Sequence, residues 1–310
     1  WTGVFADEIC AQAAKRDDIV GITAAMMRPV GLGPMHEAYP GRVIDVGIAE
    51  AESVASAAGM AYQGAHPVVA LYATFLNRGF DQLLMDVALH RAGVTFVLDR
   101  AGVTGADGAS HNGVWDIAMC SMIPGLRLAA PRDEQTLRAR LREALDVDDA
   151  PTVIRYRKGS LPEPMPALRS VGRVDILFDE AVADSRARVL IVGTGACAPD
   201  AIEAARRLAS DGVSVTVADP QWMIPICPDL ATLARDYDCV VSVEDGIVQG
   251  GFGWSLRDAV AETGVPVRCL GVPQGFPEHG DRAAMIAQFG FDADGIERAA
   301  RELVERIGER

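Results

Sequence analysis

In this 310-residue chain, residue type and spacing could do chemistry at Glu50, along the loop from Asp99 to Gly113, and at a glycine turn around Gly193. Glu50 follows a short β-branched run, Arg42–Val46, and lies at the start of a segment of helical period, Ala49–Gln63. Its carboxylate therefore sits at the positive end of a helix dipole. Taken alone, that position suits a structural carboxylate as well as a functional acid. The loop after Asp99 carries Arg100, Asp107 and His111 between four glycines, and long ordered loops at strand ends are where function concentrates. His111 could make a loop hydrogen bond or transfer a proton. Tyr72, Phe75, Arg78 and Asp81 follow the preceding strand, where aromatics ordinarily pack and charges ordinarily meet water. A strand ending at Val192 runs into Gly193, Thr194, Gly195, Ala196, Cys197 and Ala198, then a helix, with Asp219 downstream. That order matches a GxGxxA dinucleotide fingerprint. The opposing reading is a turn whose glycines allow close packing. Gly250, Gly251 and Gly253 pose the same choice between a phosphate cradle and a packing device.

The elements that must position these residues are short apolar runs alternating with helical periods, the pattern of parallel α/β units. Strands are predicted at Ile19–Thr23, Arg42–Val46, Pro67–Tyr72, Val94–Asp99, Leu126–Ala130 and Thr152–Tyr156, with helices at Gly3–Lys15, Ala49–Gln63, Arg78–His90 and Asp133–Ala144. Asp133 is the expected cap of the last helix. Residues 159–172 contain Pro162, Pro164 and Pro166 without a period and read as a linker. Beyond it strands are expected at Val189–Val192, Ser214–Ala218, Cys239–Val243 and Val265–Leu270, with helices at Pro199–Ser210, Phe252–Ala261, Asp281–Phe289 and Asp294–Ile307. The fold class is α/β, two domains of mostly parallel sheet, with ligands expected beyond the carboxyl ends of the strands.

Composition narrows the function classes. There are 29 basic and 43 acidic side chains, a formal charge of −14, and no run of Lys or Arg. Extended contact with nucleic acid or anionic lipid is therefore not expected, since both need a positive surface. A phosphorylated small molecule needs only a few local cations and fits an acidic protein. No apolar run is long enough to span a membrane and no signal-peptide pattern opens the chain, so the default expectation is cytoplasmic. The six cysteines are scattered and lack zinc-ligand spacing, so they read as reduced. The chain opens on Trp1 rather than Met and is read as a fragment or a processed chain.

Four strings, DVGIAE from Asp45, YATFLNRGFDQ from Tyr72, DRAGVTGADGASHNG from Asp99 and IRYRKG from Ile154, make the chain resemble the 1-deoxy-D-xylulose-5-phosphate synthase family of the transketolase superfamily. The resemblance runs over nearly the whole chain. It implies a transketolase-like pyrimidine-binding domain over 1–158 and a transketolase C-terminal domain over 173–310, with thiamine diphosphate and Mg²⁺ as cofactors. It also implies a transferase that condenses pyruvate with glyceraldehyde 3-phosphate, releasing CO₂, in isoprenoid precursor synthesis. Glu50 matches the carboxylate that hydrogen-bonds the pyrimidine and activates the cofactor, a role that demands a carboxyl group. Phe75 matches the aromatic that stacks on the pyrimidine. Arg78 matches a neighbour of the cofactor pocket by motif alone. Tyr72, Arg100 and Lys158 match residues that hold the acceptor's phosphate, Lys158 standing where many relatives carry Arg. Asp107 and His111 match residues that handle the pyruvate-derived intermediate and its protons.

Two departures qualify the match. The family's usual GIAEQH reads GIAEAES here, placing Ala51 and Glu52 after the catalytic position, and Glu52 falls about 200° around a helix from Glu50. No GDG…N motif for Mg²⁺ and the diphosphate occurs, so the half that grips the diphosphate is expected as a missing domain or subunit. A homodimer or larger assembly is expected with it. The rival readings are the second subunit of a split transketolase, the β subunit of a 2-oxoacid dehydrogenase, and a non-catalytic paralogue acting as a binding subunit.

Overall fold

The computed structural model describes residues 1–309. Six parallel strands form the first sheet: β1 (Ile19–Thr23), β2 (Val43–Asp45), β3 (His66–Tyr72), β4 (Thr95–Ala101), β5 (Arg127–Ala129) and β6 (Thr152–Arg157), in the spatial order β2-β1-β3-β4-β6-β5. The central strand β3, HPVVALY, is buried at every position. Helices cover both faces of such a sheet, so its strands lack polar alternation. Asp133 caps the helix Glu134–Leu145 as expected, accepting from the Thr136 amide in a reciprocal capping box.

The second sheet holds β7 (Arg169–Val171), β8 (Val174–Glu180), β9 (Arg188–Gly193), β10 (Ser214–Pro220), β11 (Cys239–Ile247) and β12 (Val267–Val272), ordered β12-β11-β9-β10-β8-β7. Strands β9 to β12 pair in parallel, whereas β8 runs antiparallel to β10 and β7 antiparallel to β8. These two strands at one side of the sheet were not expected, because an antiparallel hairpin has no place in a strictly alternating βα pattern. Strand β7 lies within the stretch read as linker. The helices Gly33–Ala38, Asp116–Ser121 and Pro228–Ala234 are further additions, each too short to build a periodic signal.

The predicted helix Arg78–His90 is a composite. A 3₁₀ turn over Ala73–Gly79 leads through Phe80–Gln82 into a π-helical segment, Leu83–Ala88. Gly79 is required there, since a Cβ would lie 2.8 Å from the Val54 side chain. Wide turns of this kind often mark functional places in a helix.

One apolar core joins both sheets: Ile22, Val69, Leu98 and Val153 of the first belong to the same buried cluster as Ile176, Leu190 and Val240 of the second. Two buried ion triads add directional contacts across the junction. Arg155 on β6 meets Asp116 at 2.7 Å and Asp245 on β11 at 2.5 Å. Arg132 meets Asp175 at 2.8 Å and Asp219 at 2.9 Å.

Candidate active site at the carboxyl edge of the first sheet

The eight residues singled out from the sequence lie at or just past the carboxyl ends of β2, β3, β4 and β6. Glu50 is the first residue of the helix Glu50–Ala61 and only 4% exposed. The chain reaches it through a tight bend in which Asp45 accepts from the Ala25 and Gly47 amides, with Gly47 at φ +74°. Its Oε2 lies 3.1 Å from Arg78 Nε, yet the pair lacks hydrogen-bond alignment, so this buried carboxylate oxygen has no hydrogen-bond partner among the described residues. Glu52, two positions on, is exposed and accepts from Ser56 at 2.7 Å. The two carboxylates thus take opposite environments, as the helical spacing requires.

The turn after β3 presents an aromatic ledge. Phe75 lies nearly parallel to Tyr72, with centroids 6.2 Å apart, and meets His111 edge-on at 5.6 Å. The Arg100 guanidinium covers the other part of the ledge, 4.2 Å from the Tyr72 centroid. Arg100 has φ +59° and sits where the β4–β6 register shifts between Leu98 and Ala101. A left-handed arginine costs about 1–3 kcal/mol, and such strain persists where the surroundings hold it for function. Arg100 and Lys158 both reach Asp107: Lys158 Nζ lies 2.7 and 2.8 Å from its two oxygens, Arg100 Nη1 3.3 Å from one. The Lys158 hydrogen bonds hold the Asp107 carboxyl below its usual range. Each of the eight residues therefore touches another of the set, or shares the 73–79 turn with one that does.

The loop carrying Asp107 and His111 is pinned by groups no motif announced. Gly102 and Gly113 exchange backbone hydrogen bonds at 2.8 and 2.9 Å, closing its stem. Asn112, fully buried, accepts from the Thr104 amide and donates to the Gly108 and Pro277 carbonyls. Arg282 donates to the Val103 carbonyl, and Gly105 packs so closely on Gly280 that a Cβ would lie 2.8 Å from its carbonyl oxygen. The second half of the chain thus helps shape the loop. Sequence reading missed Asn112 and Arg155 because their partners lie up to 165 and 90 residues away.

The two glycine turns carry packing instead. Gly195 sits against Ala130, where a Cβ would lie 2.9 Å from the Ala130 carbonyl oxygen, and Asp219 is held by Arg132. A dinucleotide has neither the turn nor the acid available. At the second turn Glu244 accepts from the Phe252 and Gly253 amides, both at 2.9 Å, taking the donors a phosphate would need. Among the described residues, no group of three or more His, Cys, Asp or Glu is placed to hold a metal ion, and no helix is long and apolar enough to cross a membrane.

The family model described as transketolase, pyrimidine binding domain, matches residues 1–164, more than half of the chain. The chain belongs to the transketolase family. The model of the transketolase C-terminal domain matches residues 180–296. The chain is 52% identical over 308 residues to a protein named 1-deoxy-D-xylulose-5-phosphate synthase 2 from Kitasatospora griseola, covering 98% of this chain and 49% of that one. It is 50% identical over 301 residues to 1-deoxy-D-xylulose-5-phosphate synthase from Corynebacterium glutamicum, covering 96% and 48%. It therefore spans about half the length of these curated relatives. Among solved structures, one titled a split gene transketolase, inactive beta4 tetramer, superimposes with a TM-score of 0.83 at 25% identity, covering 97% of both chains. Transketolase from Leishmania mexicana shares the fold, with a TM-score of 0.78 at 20% identity, over 98% of this chain and 45% of that one.

Proposed function

We propose that this transketolase-family chain forms the pyrimidine-binding part (1–158) and the C-terminal part (173–310), joined by 159–172, of a thiamine-diphosphate-dependent 1-deoxy-D-xylulose-5-phosphate synthase. The complete enzyme condenses pyruvate with glyceraldehyde 3-phosphate and releases CO₂. The observation that carries this reading is the Glu50 Oε2: a buried carboxylate oxygen without a hydrogen-bond partner, at a helix start, beside an aromatic ledge. Burying such an oxygen without a hydrogen bond is costly even beside the Arg78 charge, and a pyrimidine ring nitrogen fits the need.

In this reading the bound cofactor supplies a thiazolium carbon that becomes a nucleophile on losing its proton. Glu50 holds a proton at its Oε2 against the pyrimidine, Phe75 offers the ring a flat apolar face, and Arg78 keeps a positive charge beside the carboxylate. Arg100 and Lys158 bind the acceptor's phosphoryl group, with Tyr72 orienting Arg100 by stacking. His111, edge-on to Phe75, handles protons at the donor carbon, and Asp107 orients that region through its contacts with Lys158 and Arg100. Mg²⁺ and the diphosphate are held by a further domain or subunit with its own motif. The assembly is a homodimer or larger, and its compartment the cytoplasm.

A second reading has this half encoded as a separate subunit, favoured by the match to the split gene transketolase over 97% of both chains. Mixing this chain with the first half of the Kitasatospora relative tests both the activity and the need for a partner. Formation of 1-deoxy-D-xylulose 5-phosphate from pyruvate and glyceraldehyde 3-phosphate is expected only in the mixture. A product other than this phosphosugar would contradict the proposal.

A further inference from the structure

Two cations share one anion at the mouth of this site. Lys158 bonds both Asp107 oxygens, Arg100 approaches one of them, and neither cation has another acidic partner among the described residues. With all three groups ionised the cluster carries one net positive charge. Arg100 makes no other side-chain hydrogen bond among the described residues, so most of its five donors lie open. The three side chains are 21–39% exposed, accessible to a ligand. Asp107 itself rides on a short tip. Gly105 and Gly108 flank it at φ +79° and +83°, Ala106 and Ala109 are exposed, and the Gly102–Gly113 pair with Asn112 anchors the stem beneath. The two residues between those glycines, Ala106 and Asp107, can move while Gly105, held against Gly280, and Gly108, held by Asn112, stay in place with the stem.

We propose that Asp107 is a specificity-determining residue: its carboxylate fills the anion position between Lys158 and Arg100, and a dianionic phosphoryl group displaces it whereas a monoanionic carboxylate does not. A ligand with one negative charge only exchanges like for like and loses the covalent tethering of Asp107. A phosphoryl dianion brings twice the charge and three acceptor oxygens. The site thereby keeps a carboxylate donor such as pyruvate out of the place meant for the phosphorylated acceptor, discrimination by repulsion as well as attraction. This inference rests on the proposed phosphate role of Arg100 and Lys158.

The test is calorimetric titration of inorganic phosphate and of acetate into the full chain at constant ionic strength, with peptide-resolved hydrogen exchange over residues 105–109. Asp107→Asn should bind phosphate about ten-fold more tightly than the parent and acquire acetate binding, because the cations lose their internal competitor. Asp107→Ser should do the same, and Asp107→Glu should not. Phosphate should speed exchange at the loop tip in the parent protein only, since in Asp107→Asn the tip is already released. Equal phosphate affinity in parent and Asp107→Asn overturns the displacement while leaving the phosphate role of the cations standing. Phosphate binding to Asp107→Asn that survives both Arg100→Ala and Lys158→Ala, or no binding in any variant, overturns that role as well.

Discussion

Arg155 and Arg100 both face aspartates, but one cluster is sealed and the other open. Arg155 stands with two carboxylates, Asp116 and Asp245, and none of the three side chains is more than 2% exposed. Arg100 and Lys158 stand with a single carboxylate, Asp107, at 21–39% exposure. The sealed cluster has more anion than cation and draws its members from both sheets. Its hydrogen bonds fix how the two halves meet. The open cluster, one of whose cations is the strained Arg100, has a surplus cation at the carboxyl edge of one sheet and includes the glycine-flanked loop tip. Charge that is saturated and dry holds a structure together, whereas charge that is wet and left in excess is available to a ligand.

The sharpest way to break this distinction is Arg155→Met. It leaves Asp116 and Asp245 buried without their cation, and unfolding in urea should show a loss of about 3–5 kcal/mol. Arg100→Ala should cost less than about 1 kcal/mol in the same assay, because its charges already face water. A similar loss in both variants would mean that the open cluster is structural too. In a reconstituted complex the ranking reverses. Arg100→Ala and Lys158→Ala should each raise KM for the phosphorylated acceptor ten- to a hundred-fold, about 1.5–3 kcal/mol, and leave pyruvate decarboxylation largely intact. Equal losses with an unphosphorylated acceptor would show that these side chains do not read phosphate.

Acid–base behaviour refines the picture of the sealed side. Burial pushes Glu244 up to about 8 from an ordinary 4.5, against the pull of the Phe252 and Gly253 amides. The folded protein therefore keeps a proton there that the unfolded chain releases at lower pH. That contribution to stability is complete below about pH 4.5 and lost as pH rises through 8. Between pH 6.5 and 8 the melting temperature should fall, at a cost of up to about 1.4 kcal/mol per pH unit. Glu244→Gln should flatten that slope whatever its own stability; an unchanged slope would remove Glu244 as its source. The smallest effect is expected from Glu52→Gln, under about 0.5 kcal/mol in stability and with activity retained, because that side chain is exposed and its one hydrogen bond among the described residues is from Ser56.

The same contrast explains what could be read in the sequence. Strands β3, β4, β9 and β11 announce themselves as Val- and Leu-rich runs, since parallel strands covered on both faces need apolar residues throughout. The open site is equally legible, as Glu50, Tyr72, Phe75 and Arg100 lie at or just after strand ends and Asp107 and His111 sit in a glycine-marked loop. The sealed cluster is not. Nothing in the local sequence around Arg155 points to Asp245, ninety positions on, and the pair exists only once two sheets have docked. Asn112 is hidden for the same reason, its Pro277 contact arriving from the other half. The antiparallel strand β8 and the π-helical segment escaped because each breaks the period of its surroundings. The altered motif at Ala51 and Glu52 is explained in part: Glu52 points to solvent, away from the buried Glu50.

In the proposed enzyme Glu50 handles the cofactor's proton, and hydrogen–deuterium exchange at the thiazolium carbon between the ring sulfur and nitrogen is the most direct test of that role. Exchange is followed by acid quench in the complex of this chain with a diphosphate-binding half, for the parent and for Glu50→Gln. The amide keeps the shape of the side chain but cannot hold and release a proton as a carboxylate does. Exchange should be fast in the parent and lost in Glu50→Gln at an unchanged melting temperature. Fast exchange in Glu50→Gln would contradict the assignment.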